Sequence, residues 1–209
     1  KGTTLGADNG LGVATIMAVL ESTTIEHPAI EALFTIDEET GMTGAMGLKG
    51  GILKGDILLN LDTEEDDEIG VGCAGGVDIT ATRTYTEEGL DDGLVGYEVK
   101  VAGLNGGHSG MDIIKGLGNA NKMMNRLLYN AAENFEIRIS SIDGGSLRNA
   151  IPRESVAIIA VDENQKAAFE ADFTDMAAAI HGEYASLEKE LELSIKQIDL
   201  DDNVMSLEA

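Results

Sequence analysis

Four acidic positions in the first third of the chain have the residue types and placement for metal chemistry. Asp8 lies within Gly6-Ala7-Asp8-Asn9-Gly10, where glycines let the backbone pass closely around a carboxylate. Glu38 and Glu39 follow the apolar run 29–36, and Asp62 follows Leu58-Leu59-Asn60-Leu61. On an extended backbone Glu38 and Glu39 would point to opposite faces, so only a turn brings both to one site. Carboxylates that converge at the ends of buried elements repel one another, and a pair of divalent cations is the usual compensation. In the second half, His108 sits in Asn105-Gly106-Gly107-His108-Ser109-Gly110. An imidazole on a glycine loop has room to reach a ligand and supplies a hydrogen bond or a charge near neutral pH. Arg148-Asn149-Ala150-Ile151-Pro152 likewise presents a cation and an amide before a proline-constrained turn.

Each of these residues also has a bland reading. Asp8 alone serves as a helix cap, because Asn9-Gly10 and an apolar-periodic segment follow directly. Glu38 and Glu39 suit a solvated turn, residues 148–152 a simple hairpin. Asp62 leads into Glu64, Glu65, Asp66, Asp67 and Glu68, and such a run is usually a solvated loop. The joint placement of the four acids, not any one of them, favours a metal site. His27, before Pro28, reads as solvent-facing, and His181 as a surface or helix-end residue. Cys73 has no positioned histidine and reads as a buried structural thiol. Gly106-Gly107 and Gly144-Gly145 are not phosphate loops, since no GK[ST] follows either.

The elements that must position these side chains divide into two sets. In the first, the spacing of Leu11, Val13, Ala14, Ile16, Met17, Val19 and Leu20 predicts a helix over 9–21. Residues 29–36 and 57–61 read as buried strands with a weak helical segment, 42–49, between them. Strand, helix and strand in alternation predict part of a parallel sheet, whose functional groups gather at the carboxyl ends of its strands. Residues 70–95 read as a crossover, with a strand at 77–85. The second set runs strand 95–103, helix 117–134, strands 135–142 and 155–161, helix 165–184 and strand 191–198. That β-α-β-β-α-β order is ferredoxin-like, an antiparallel sheet with both helices on one face. The acidic tail from Asp199 is expected to find no partner in the chain. The domain division is therefore 1–75 and 76–209.

The chain has 209 residues, 43% of them hydrophobic and 25% charged, so neither disorder nor a fibrous fold is expected. Fourteen Lys and Arg against 38 Asp and Glu leave a net charge of −24. Such a surface repels phosphate backbones and anionic lipid, which argues against nucleic-acid and membrane partners. No apolar stretch approaches the roughly 18 residues that would span a bilayer. A lone cysteine excludes an internal disulfide and fits a reducing compartment such as the cytoplasm.

Together, Gly-Ala-Asp-Asn-Gly around Asp8, Asp-Glu-Glu-Thr-Gly at 37–41, Leu-Asp-Thr-Glu at 61–64, Gly-Gly-His-Ser-Gly at 106–110 and Arg-Asn-Ala-Ile-Pro at 148–152 resemble the M20 metallopeptidases. The nearest branch is the aminoacyl-histidine (Xaa-His, carnosinase-like) dipeptidases, and the likeness runs to about residue 165. The resemblance implies a catalytic two-zinc domain in 1–75 and a lid or dimerisation domain in 76–209. It implies Asp8 as the carboxylate bridging two zinc ions, Glu39 and Asp62 as terminal ligands, and Glu38 as the general base. It also implies His108 and Asn149 as residues that bind substrate and polarise its scissile carbonyl. Small peptides are then the substrates and a homodimer the expected assembly.

The chain departs from the family pattern in having neither an upstream His-x-Asp motif nor a late histidine after His181. With Lys at position 1 and no leader-like segment, it is expected to be an internal fragment holding three of five metal ligands, with its lid truncated. Such a piece would be inactive by itself and hold zinc weakly or not at all. Two alternatives stand beside this reading: another M20 hydrolase, a tripeptidase or deacylase, and a non-catalytic acidic assembly module. In the latter, Asp8, Glu38, Glu39 and Asp62 would lie apart and exposed.

Overall fold

Asn9 begins the first regular element of the structure, a computed structural model that describes residues 8–63, 67–73, 75–200 and 203–206. Its side chain accepts the Gly12 N–H at 2.8 Å and caps helix α1, Gly10–Glu21. Two single turns follow, α2 (Glu38–Gly41) and α3 (Thr43–Met46). The chain divides after Gly75 into two compact units.

The first unit does not contain the expected sheet. Among its described residues neither 29–36 nor 57–61 is paired as a strand, and no parallel pairing occurs among the described residues of the chain. The reason is that a strand exists only through a neighbour's hydrogen-bonding edge, and these runs have none to pair with. Ile57, Leu58 and Leu59 are therefore 83%, 79% and 78% exposed. The expected strand 77–85 is likewise absent, with Val77 and Ile79 exposed, and Cys73 is exposed, not buried. Glu64, Glu65 and Asp66 of the acidic run lie outside the described residues.

The second unit has the ferredoxin-like order. Its elements are β1 (Glu87–Glu88), β2 (Leu94–Ala102), β3 (Gly107–His108), α4 (Ala120–Phe135), β4 (Arg138–Gly144), β5 (Ala150–Ile151), β6 (Ser155–Asp162), α5 (Lys166–Tyr184), β7 (Glu192–Ile198) and β8 (Val204–Met205). The main sheet is ordered β4-β6-β2-β7 and every pairing is antiparallel. Alternation on β2 turns Tyr97, Val99 and Val101 inward. The α4 stripe Met123, Met124, Leu127, Leu128 and Ala131 and the α5 residues Phe169, Phe173 and Ile180 belong to the same core. Tyr97 is packed edge-on to Phe169 and donates to Glu170 Oε1 at 2.7 Å; burial, then this carboxylate, pushes its phenol upward.

Two boundaries differ from the sequence reading. Phe135 completes α4, because it falls one helical turn after Ala131, and packs on Phe169; Glu136 then turns the chain with φ of 48°. A bulge between Ile139 and Ser141 shifts the register of β4 against β6. The tail also has a partner: β8 pairs with β1, Val204 is 1% exposed, and Ser140 Oγ donates to the Asn203 carbonyl. Buried Arg138 clamps this corner through Glu88, at 2.5 Å, and the Met205 carbonyl.

Candidate functional site

The candidate residues form two groups, one in each unit. In the first, Asn9 is the organiser. Its Oδ1 caps α1 while its Nδ2 donates to the Leu61 carbonyl at 2.9 Å, tying the residue after Asp8 to the residue before Asp62. Because Asn9 caps the helix, Asp8 is released from the capping role that its position allowed. Glu38 and Glu39 do share a turn, α2, set between Asp37 and Met42, both left-handed at φ 59°. Thr43 Oγ1 donates to Asp37 Oδ2 at 2.6 Å and Met42 N–H to the Asp37 carbonyl at 2.6 Å, closing the loop. On a helical turn successive side chains diverge by about 100°, not the 180° of a strand.

The result is a gathering of negative charge. The Glu39 carboxyl is held above the usual glutamate range, first by the charge of Glu38, then by Asp8 and, more weakly, Asp62; it also shares a hydrogen bond with Asp8. All four side chains are exposed. Oxygen donors whose mutual repulsion is unrelieved suit a divalent cation. No group of three His, Cys, Asp or Glu placed to hold a metal ion occurs among the described residues.

In the second unit, His108 lies in a two-residue ladder that Asn149 immediately adjoins. His108 pairs with Ala150, and Ser109 N–H donates to the Asn149 carbonyl at 2.8 Å. The glycines before His108 have a steric reason. A Cβ on Gly106, at φ 68°, would lie 2.4 Å from Arg153 Cγ, and one on Gly107 would lie 2.7 Å from Asp112 Oδ2. Asp112 Oδ2 accepts the His108 N–H at 2.7 Å, and its Oδ1 is 2.6 Å from Lys115 Nζ. The lysine first, then this N–H, lowers the Asp112 carboxyl below its ordinary value.

The base of this loop rests on Glu188, 3% exposed, whose two oxygens accept the N–H groups of Asn105 at 2.8 Å and Gly118 at 2.7 Å. Neither Asn9 nor Glu188 was identifiable as a site residue from sequence. Asn9 carried a local signal, the Asx residue before a helix; Glu188 carried none. His27 and His181 are exposed, His181 in the last turn of α5.

Residues 93–188 match the peptidase dimerisation domain of the M20 family. The chain is 43% identical over 198 residues to the cytosol non-specific dipeptidase of Escherichia coli strain K12, covering 95% of this chain and 41% of that protein. It is 42% identical to the aminoacylhistidine dipeptidase of Vibrio alginolyticus, whose crystal structure superposes with a TM-score of 0.75 over 99% of this chain and 42% of that one. The chain thus spans about two fifths of the length of the relatives it matches. No helix among the described residues is long and apolar enough to cross a membrane.

Proposed function

We propose that this chain, whose residues 93–188 belong to the M20 peptidase dimerisation domain family, supplies part of the active centre of a two-zinc dipeptidase. The observation that carries this reading is the gathering of Asp8, Glu38, Glu39 and Asp62, close enough that the Glu39 carboxyl is pushed up by the other three. A module in which the acids lie apart would give no such shift. Identity above 40% to two proteins named as dipeptidases supports the same reading.

In this scheme residues 1–75 belong to the catalytic domain and residues 76–209 to a lid or dimerisation domain. Asp8, Glu39 and Asp62 are the residues of this chain that would hold the zinc. Zinc, when bound, supplies Lewis-acid polarisation and an acidified water. Glu38 takes the proton from the attacking water and returns it to the departing amine nitrogen, work worth about 10²–10⁴ in rate. His108 donates a hydrogen bond to the scissile carbonyl oxygen as it becomes negative, worth about 3–4 kcal/mol. Asn149, whose carbonyl accepts the Ser109 N–H, orients the peptide. The substrates we propose are Xaa-His dipeptides of the carnosine type; the name of the E. coli relative favours a second reading, a broader range of dipeptides. That name also favours a cytoplasmic location, and the domain family of the second unit a homodimer.

The test is hydrolysis of a dipeptide panel by the full-length protein with zinc. Glu38→Gln should lower kcat by about 10²–10⁴ while leaving bound zinc unchanged. Asp62→Asn should lower both. If Glu38→Gln strips the metal, the role given to Glu38 is wrong.

A further inference from the structure

The ring of His108 is held by its own loop. Its Nδ1 lies 3.1 Å from the Gly110 nitrogen and 3.2 Å from the Met111 nitrogen, both N–H donors. Only a ring whose Nδ1 carries no proton can accept from both, so in the neutral imidazole the proton sits on Nε2. The turn that aims those two N–H groups is closed at both ends by Asp112. Its Oδ2 accepts the His108 N–H at 2.7 Å, and its own N–H donates to the His108 carbonyl at 3.0 Å. Lys115 holds the other carboxylate oxygen at 2.6 Å, and the missing Cβ of Gly107 leaves the space that the Asp112 side chain occupies.

We propose that Asp112 is the positioning residue of His108: it holds the 108–112 turn so that the imidazole is fixed as its Nε2–H tautomer and presents a hydrogen-bond donor, not a base. This rests on the reading of His108 as the group that meets a substrate carbonyl, and it supplies the proton that such a contact needs. A ring free to exchange tautomers would spend part of its time offering a lone pair to the carbonyl oxygen, a repulsive arrangement. The chain contains its own contrast. His27 Nδ1 lies 2.7 Å from the Pro28 carbonyl oxygen, which can only accept, so that ring carries its proton on Nδ1.

The experiment is a long-range ¹H–¹⁵N correlation spectrum of the imidazole rings in the ¹⁵N-labelled 209-residue chain at pH 8, above the ordinary histidine value of about 6.5. His108 is assigned by the signal lost in His108→Gln. The expected pattern is an unprotonated Nδ1 and a protonated Nε2 for His108, with the opposite for His27. A His108 ring protonated at Nδ1, or averaged between tautomers, overturns the proposal on the unsubstituted chain alone. Asp112→Ala should return His108 to an averaged ring. Asp112→Asn, whose amide oxygen can still accept the His108 N–H, should keep the single tautomer. If Asp112→Ala leaves the ring unchanged, Asp112 is not the positioning residue. Backbone amide signals of the ferredoxin-like core in the same samples check the fold. These spectra involve neither metal nor substrate, so the two readings fail separately. A fixed ring in a full-length protein that hydrolyses no dipeptide removes the peptidase reading only; a mobile ring in an active one removes this proposal only.

Discussion

In the second unit Tyr97, Val99, Val101 and Ile159 are at most 1% exposed, whereas in the first Ile57, Leu58 and Leu59 are 78–83% exposed. The side chains are of similar apolar character; their surroundings differ. Each central strand of the second unit, β2 and β6, has a paired neighbour on both sides, and the side chains of α4 and α5 share its core. In the first unit polar contacts join distant segments: Asn9 to Leu61, and Glu31 to the N–H groups of Lys54 and Gly55. Burial thus follows from layered topology, not from hydrophobicity of the run. One unit is held by a dry core, the other by clips that arrange its carboxylates.

The sharpest way to break this contrast is truncation of a large apolar side chain in each unit. Leu127→Ala, in the α4 core stripe at 4% exposure, should cost about 2–5 kcal/mol in urea unfolding monitored on the second unit. Leu58→Ala, at 79% exposure, should stay within about 0.5 kcal/mol. Equal losses would mean that the first unit has a core after all.

A finer comparison uses one bonding pattern in two environments. Glu188 and Glu31 each accept two backbone N–H groups, but Glu188 is buried and Glu31 exposed. Glu188→Ala strands the buried Gly118 N–H away from water and should cost about 1–3 kcal/mol, with faster amide exchange at Gly118. Glu31→Ala lets water replace the carboxylate and should cost less than about 0.5 kcal/mol. If the two substitutions cost the same, burial is not what distinguishes the units.

The same division decides what was legible in the sequence. Alternation at Tyr97, Val99 and Val101 and the helical stripe of α4 were readable because both faces of the pattern are realised in the fold. Runs 29–36 and 57–61 carry an equally strong apolar signal and form no strand, because a run cannot state whether a partner edge exists. The β8–β1 pairing and the fit of Phe135 to the helix turn on tertiary contacts that a local window does not hold. At the site, the four acids stood out as short, glycine-flanked or run-ending motifs. Asn9 and Glu188 act across 52 and 70 to 83 residues of sequence, so their roles were invisible until the chain was folded.

The smallest expected effect is the order in which carboxyl groups protonate, and here the units should move in opposite directions. With chelator present, Glu39 is held above its ordinary range by Glu38, Asp8 and Asp62. Its repulsive penalty is present in full above that raised value and is relieved as pH falls through it toward the ordinary glutamate range, so acidification favours the folded first unit. Glu183 is lowered by its bidentate pairing with Arg126, and Asp112 by Lys115. Their stabilisation is present above the ordinary carboxylate range and is lost as pH falls through the lowered values, so the same acidification weakens these contacts of the second unit. All three groups are exposed or half-buried, so salt should compress the differences without reversing them. A ¹³C titration of the side-chain carboxyls should find Glu39 protonating before Glu183 and Asp112. Glu39 titrating together with Glu183 would mean that the four acids are not gathered in solution, and the contrast between a core-built unit and a carboxylate-built one would lose its second half.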